Sequence, residues 1–177
     1  MGSIFAAART GMQYFANEKH LASIVYWTFG DLSRITWDNL ILIAVVSLPV
    51  LIYFIYNRWN YNAIDAGIDT ASSLGVNVSR HIIVGMVLSS LVAALIVSLM
   101  GVIGFVGLLA PHMVRRVIGS DHRFVIPASA LVGALILVVS DTMARTIISP
   151  LVLPVGVITA FMGGPLFLAI LIQGYRK

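Results

Sequence analysis

An all-α bundle that crosses a membrane several times is the fold class this sequence predicts, and three observations predict it. Of the 177 residues, 59% are hydrophobic and only 10% charged, against about a quarter charged in an ordinary soluble domain. Mean hydropathy is +0.99. The charges are gathered rather than scattered, leaving uncharged runs at 39–57, 82–109, 124–140 and 146–175, close to or above the roughly 20 apolar residues a membrane-crossing helix needs. This composition excludes a water-soluble enzyme, a disordered tail, a collagen-like rod and a coiled coil, each of which needs a polar or periodic pattern. With no cysteine, disulfides, thiolate metal sites and thiol nucleophiles are also excluded. The 11 basic and 7 acidic residues give a net charge of +4. In a membrane chain that excess reads as basic loops on the cytoplasmic side, not as a nucleic-acid surface.

The elements follow in order. Met1 to Phe15 is apolar apart from Arg9 and short for a crossing. It lacks the basic start and cleavage site of a signal peptide and reads as the end of a helix whose beginning is missing. Ala22 to Phe29, with Tyr26, Trp27 and Phe29, suits a membrane interface. Ile35 to Asp38 reads as an anchor and cap for the span at 39–57, in which Pro49 should place a kink that neighbouring helices tolerate. The hydrophilic stretch Arg58–His81 carries Arg58, Asp65, Asp69 and Arg80, punctuated by Gly67 and Gly75. It reads as one or two short helices outside the bilayer, or as a plain solvated connector.

Ile82–Leu109 is 28 residues long, about 42 Å as one helix: too long for one upright crossing, too short for two. Gly101, Gly104 and Gly107 suggest a full span and then an irregular turn. Pro111 suits the first turn of a short helix, His112–Ile118. A short helix at membrane depth marks a broken or re-entrant element. The run from Phe124 continues past Asp141, and the last span starts near Val155, after Pro150 and Pro154, ending at the anchor Tyr175-Arg176-Lys177.

Charge counting leaves the topology open. If the short helix does not cross back, eight basic residues (Arg9, Lys19, Arg34, Arg115, Arg116, Arg123, Arg176, Lys177) share one side and three (Arg58, Arg80, Arg145) the other. If it returns the chain, seven (Arg58, Arg80, Arg115, Arg116, Arg123, Arg176, Lys177) oppose four (Arg9, Lys19, Arg34, Arg145). Both satisfy the positive-inside rule, with opposite placement of Arg58–His81.

Three ordered stretches carry a resemblance. They are Gly104-Phe-Val-Gly-Leu-Leu-Ala-Pro-His-Met-Val-Arg-Arg-Val-Ile-Gly-Ser-Asp-His-Arg123, Ser140-Asp-Thr-Met-Ala-Arg145, and Leu153-Pro-Val-Gly-Val-Ile-Thr-Ala-Phe-Met-Gly-Gly-Pro-Leu-Phe167. Weaker matches are Trp27-Thr-Phe-Gly-Asp-Leu32 with Trp37, and Ser73-Leu-Gly-Val76. In this order, over nearly the whole chain, they resemble the FecCD-type permeases of type II ABC importers for iron-siderophores, haem and cobalamin. The resemblance implies a type II permease-like helical bundle, one transmembrane domain over 1–177 that matches the C-terminal half of a ten-helix subunit. Five to six membrane helices would be present, one of them short: the end of the fifth at Met1–Ala16, the sixth at Asn39–Tyr56, the seventh at Ile82–Met100, the eighth at His112–Ile118, the ninth at Ile126–Arg145 and the tenth at Val155–Gln173. It favours the topology with Arg58–His81 inside. A half-subunit would be a fragment, a truncated gene or one half of a split subunit.

The family's site roles transfer residue by residue. The loop at about 58–81 is implied to form coupling helices docked on an ATP-binding cassette ATPase subunit, with Ala63, Asp65, Gly67, Asp69, Leu74, Gly75 and Arg80 as candidates. Gly75 is expected to make the corner between the two short helices. Arg145 matches a position that pairs with a glutamate on a periplasmic or lipid-anchored extracellular substrate-binding protein, a charge-assisted contact that orients the partner. Against this stands a local pair with Asp141 one turn away, or snorkelling to headgroups. Val152 replaces an acidic residue common just before the Leu-Pro pair. Lys19 and Arg34 are further outer-face candidates, and Arg9 is a pathway candidate or an interfacial charge. Asp141 reads as a cap or salt partner rather than a proton relay.

His112, Asp121 and His122 lack the further ligands that a zinc site needs; Asp121 reads as a helix cap, and Arg115, Arg116 and Arg123 as facing anionic lipid. There is no G-x-x-x-x-G-K-[ST] phosphate loop, so ATP and magnesium are expected on the partner subunit, not here. No cofactor or metal is expected to bind the chain directly, and no catalytic residue is identifiable. Expected partners are the ATPase, the binding protein, a second permease subunit and membrane lipid, in a multi-pass cell-membrane protein importing a metal chelate, with an iron-siderophore first, haem or cobalamin next. The competing readings are an ion-driven secondary transporter, for which only Asp141 is available as a midplane acid, and a non-transport membrane scaffold subunit.

Overall fold

In the computed structural model, residues 2–15, 17, 24, 27–33, 35–147 and 152–175 are described, without the side chains of 9, 166 and 169–175. Helix is the one regular structure among them: α1 (Gly2–Phe15), α2 (Trp37–Tyr56), α3 (Arg58–Asp65), α4 (Ile68–Ser73), α5 (Val78–Met100), α6 (Val106–Ile118), α7 (His122–Thr146) and α8 (Val155–Tyr175). Three of them, α2, α5 and α7, are long and apolar enough to cross a membrane.

The helices start where side chains can satisfy the free N–H groups of a first turn. The Thr36 hydroxyl accepts from the Asn39 N–H ahead of α2, the Asn77 side chain from the Arg80 N–H ahead of α5, and the Asp121 carboxylate from the Arg123 N–H ahead of α7. The uncharged runs place the starts of α5 and α7 at 82 and 124; the helices begin four and two residues earlier, at 78 and 122. The apolar run marks the part of a helix that sits in lipid, whereas the cap marks the helix itself, and here the caps stand out in water.

The larger correction concerns α6. It runs over 13 residues from Val106, with Pro111 inside it rather than in its first turn. Phe105 sets the start by taking a left-handed conformation, φ 66°, the one non-glycine residue among those described to do so. Pro111 gives no N–H to Gly107, a defect that membrane helices absorb through neighbouring groups. Between α5 and α6 the backbone turns at Gly101, φ 78°, where a Cβ would overlap the carbonyl of Trp27. The segment 27–31 therefore lies directly against the break. The Asp31 N–H donates to the Met100 carbonyl at 2.9 Å, and the Trp27 indole N–H to the Ser98 carbonyl at 3.3 Å.

α6 packs against α7 most closely, α2 against α5, and α8 against α7 and α6. At the C-terminal end of α7 the buried residues Ala144, Val155 and Ile158 form a small core with Leu32 and Leu153, tied by the Leu153 N–H to the Ala144 carbonyl. At the other end, α3 packs on the start of α7.

That contact decides the topology. Asn62, in the loop after α2, touches Asp121, in the turn between α6 and α7. Both loops lie at one end of the bundle, so α6 returns the chain and the count of eight against three fails. Among the described residues Arg58, Arg80, Arg115, Arg116 and Arg123 share the end that holds α3 and α4, which the positive-inside rule places in the cytoplasm. The chain has no cysteine, so single cysteines test this directly. Cysteines at Ser72 and Ser120 should be protected from a membrane-impermeant thiol reagent in intact cells, and one at Val152 labelled. Opposite labelling of Ser72 and Ser120 would mean that α6 does not return the chain.

Candidate functional site

The loop between α2 and α5 folds into two short helices, α3 and α4, with a corner at Gly67, φ 123°. Gly75, expected at that corner, instead ends α4 and turns the chain towards α5, at φ 81°. Both positions favour glycine because a side chain there meets its own backbone.

α3 is held from two sides. Towards α2, Asn57 donates from Nδ2 to the Tyr53 carbonyl at 2.9 Å, and the Asn60 amide donates to the Asn57 side chain at 3.1 Å; His81 makes the link to α5. His81 Nδ1 lies 2.9 Å from the Asn77 carbonyl, which only accepts, so Nδ1 carries the proton. Nε2 lies between the Asn60 amide nitrogen at 2.9 Å and the Asn57 side-chain oxygen at 3.2 Å. Tyr61 stacks at 5.7 Å on Phe54. Burial pushes its phenol up to about 12, with neighbouring Tyr53 adding to the effect, so it is neutral at any physiological pH.

Towards α7, one face of α3 carries Trp59, Asn62 and Asp65, spaced three apart. Asn62 Nδ2 donates to the Asp121 carboxylate at 2.7 Å, and Asn62 Oδ1 accepts from the backbone N–H of His122 at 2.7 Å. The Arg123 guanidinium lies 4.4 Å over the Trp59 ring, within cation–π range. Asp65 sits 3.4 Å from His122 Nε2 and 3.9 Å from Arg115.

The sequence candidates divide accordingly. Asp65 faces the α6–α7 turn, and Ala63 is half-buried. Gly67, Asp69, Leu74, Gly75 and Arg80 are exposed around α4. Beside them stand two large apolar side chains, Ile68 at 64% and Leu74 at 69% exposure, on an otherwise polar loop. Sequence reasoning missed Trp59, Asn62 and Ile68. For Trp59 and Asn62 the signal is the spacing of three along α3, which an uncharged amide does not advertise; Ile68 opens α4.

At the opposite end, Arg145 Nε donates to Asp141 at 2.8 Å, and the guanidinium side chain keeps about half its surface exposed (48%). The local pair weighed against docking is therefore formed, while the exposed half remains open to a partner. Lys19 and Arg34 lie outside the described residues. Arg9 sits in α1, its side chain outside the description. Among the described residues no group of three or more His, Cys, Asp or Glu side chains converges to hold a metal.

The hydrogen bond from Asn62, then that from the Arg123 N–H, lowers the Asp121 pKa below the usual carboxylate range. A depressed carboxylate stabilises the fold above its unfolded pKa of about 3.9, and loses that effect as pH falls through the lower folded value. The melting temperature of Asp121→Ala should therefore lie below wild type at pH 7, and the gap should close as the pH falls through the acid range. A gap that stays constant through that range would show that Asp121 does not act as a carboxylate here.

The sequence model of the FecCD transport family matches residues 1–173. A protein of Methanocaldococcus jannaschii named as an ABC transporter permease is 52% identical over 177 residues, all of this chain and 51% of that protein. The hemin transport system permease protein HmuU of Yersinia pestis is 34% identical, over 98% of this chain and 52% of its own length. The vitamin B12 import system permease protein BtuC of Vibrio vulnificus is 34% identical, over 99% and 53%. A solved inward-facing structure of a transporter of the metal-chelate ABC type superposes with a TM-score of 0.88 at 30% identity, covering 97% of this chain and 56% of that one. The chain spans about half the length of the curated relatives it matches.

Proposed function

The chain belongs to the FecCD transport family, and from that premise we propose that it serves as permease in an ATP-driven importer of a metal chelate. The observation that carries the mechanism is the α3–α4 pair. It lies outside the spanning helices, is bonded to both α5 and α7, and turns Ile68, Asp69 and Leu74 outward beside the exposed Arg80 of α5. A rigid, bonded helix pair with exposed apolar knobs suits docking to an ATPase subunit, because a floppy connector would absorb the partner's motion instead of passing it on. ATP and magnesium belong to that subunit; this chain contributes the surface it pushes and the helices that move.

The substrate is a metal held in an organic chelate. Relatives are named for hemin, vitamin B12 and Fe(3+)-citrate, which share that chemistry and little else. An iron-siderophore is the first candidate. A second permease subunit completes the path, and a substrate-binding protein delivers the chelate to the end where Arg145 stands. A charge-assisted contact to a carboxylate on that protein orients the docked partner.

Gly75→Pro tests the coupling role. Proline fixes φ near −65° and cannot take the +81° found here, so the α4–α5 corner must rebuild. The variant should insert normally and assemble poorly with the ATPase subunit, and uptake of radioiron-labelled siderophore should fall to background. Normal pull-down of the ATPase with normal uptake would sink the assignment.

Arg145 gives the outer-face test. Arg145→Glu should weaken capture of the loaded binding protein by the reconstituted complex, most at low salt, since it sets a second acid beside Asp141 and repels a carboxylate partner. Arg145→Ala should be milder, a few-fold in affinity, as expected from about 1 kcal/mol or less for an exposed pair. Wild-type affinity in both variants at low salt would leave Arg145 as a helix-end residue that serves only Asp141.

A further inference from the structure

We propose that Asn62 and Asp121 are positioning residues that clamp the cytoplasmic loop to α7, making α7 the rod by which ATP-driven motion reaches the outer face. The proposal rests on the reading of α3–α4 as the ATPase-facing element and adds which transmembrane helix it drives.

The clamp has two points. One amide, that of Asn62, donates to the Asp121 side chain and accepts from the His122 N–H, both at 2.7 Å. A single hydrogen bond is a pivot, about which α3 could turn freely. Two bonds to consecutive residues fix direction as well as distance, as a bidentate contact does. Both bonds also belong to the start of α7. Asp121 is its cap, and the His122 N–H is one of the first-turn donors that has no partner within the helix. If α3 shifts and α7 stays, α7 loses part of its cap and an N–H partner together. The cheaper motion carries α7 along. Asp65 beside His122 and Trp59 under Arg123 widen the contact on either side.

The far end of α7 is anchored too. α7 has 25 residues, about 37 Å at 1.5 Å per residue, enough to cross the bilayer. Ala144 is fully buried there against Val155 and Ile158, and its carbonyl accepts from the Leu153 N–H. Arg145 follows immediately. A displacement entering at Asn62 therefore arrives at the rim where a binding protein would dock, and at the start of α8.

The test uses the complete transporter in lipid nanodiscs, with a single cysteine at Ile147, an exposed position just past α7. Two quantities are read: retention of the ATPase subunit, and the maleimide labelling rate of that cysteine with and without ATP plus vanadate. With Asn62 intact, ATP–vanadate should change the labelling rate. Asn62→Asp sets two carboxylates face to face and should abolish that change while the ATPase subunit stays bound and still hydrolyses ATP. Adding Asp121→Asn to it exchanges acid and amide, so that the contact between positions 62 and 121 again pairs a donor with an acceptor, at the cost of the Arg123 N–H that shares Asp121 Oδ1, and the ATP-dependent change should return. The proposal is overturned if Asn62→Asp keeps the ATP-dependent change, if the double exchange fails to restore it, or if the parent shows none. It is also overturned if Asn62→Asp sheds the ATPase, since the pair would then only shape the docking surface. A complex in which even the parent holds no ATPase would instead fail the coupling reading itself, and the rod with it.

Discussion

A peptide group left without a partner in hydrocarbon costs several kcal/mol, and this chain breaks its helix at the outer end of α5. Everything else is arranged around closing that break. The Gly101 N–H still reaches back to Val97, and the Val106 N–H to Gly104. The Met100 carbonyl, which the helix no longer needs, accepts from the Asp31 N–H. That last bond brings the segment 27–31 down onto the turn, where the missing side chain of Gly101 makes room for the Trp27 carbonyl. Phe105 then starts a new helix from a left-handed conformation, a strain of the kind that persists only where the surroundings over-determine it. Its ring lies against the bare backbone of Gly163, where a Cβ would overlap it.

From the break follows the topology, and from the topology the candidate site. α6 has 13 residues, about 20 Å, so it falls short of the roughly 30 Å of hydrocarbon. Together with the extended turn before it, it brings the chain back to the end at which α2 finishes. Had the chain not returned, Asn62 and Asp121 would stand on opposite sides of the bilayer. Because it does, the acidic Asp65 meets the basic Arg115, and a loop without apolar core of its own gains a wall to fold against.

What the sequence discloses and what it hides divide along the same physical line. Spans are legible because hydropathy is a sum over 20 residues, and α2, α5, α7 and α8 fall where the uncharged runs put them. The caps at Thr36 and Asp121 are legible because a short polar side chain ahead of an apolar run has few other uses. The start of α6 is not legible. Pro111 points to a later first turn, and nothing local announces that Phe105 will take a positive φ, since tertiary contacts impose it. The corner between α3 and α4 goes to Gly67 rather than Gly75 for a similar reason: two glycines eight residues apart offer the same freedom, and packing chooses between them. Within the site, charge drew attention to Asp65, Asp69 and Arg80, yet the contact that fixes α3 runs through an uncharged amide whose partner lies 59 residues away.

The weight carried by so few polar contacts follows from the solvent. In lipid the hydrophobic effect does not press helices together, since lipid tails match leucine in polarity. Close approach inside the span comes from small residues, as where Gly133 of α7 lies under Ala110 of α6, and such contacts let helices slide without large penalty. Position along the membrane normal must then be fixed where water begins. In this chain the end that holds α3 and α4 is fixed by the Asn62 amide on the cap of α7 and by the His81–Asn60–Asn57 cluster on α5. The outer end is fixed by the backbone bonds of Asp31 to Met100 and of Leu153 to Ala144. A bundle that is loose along its length and pinned at both ends passes displacement from one end to the other through whole helices.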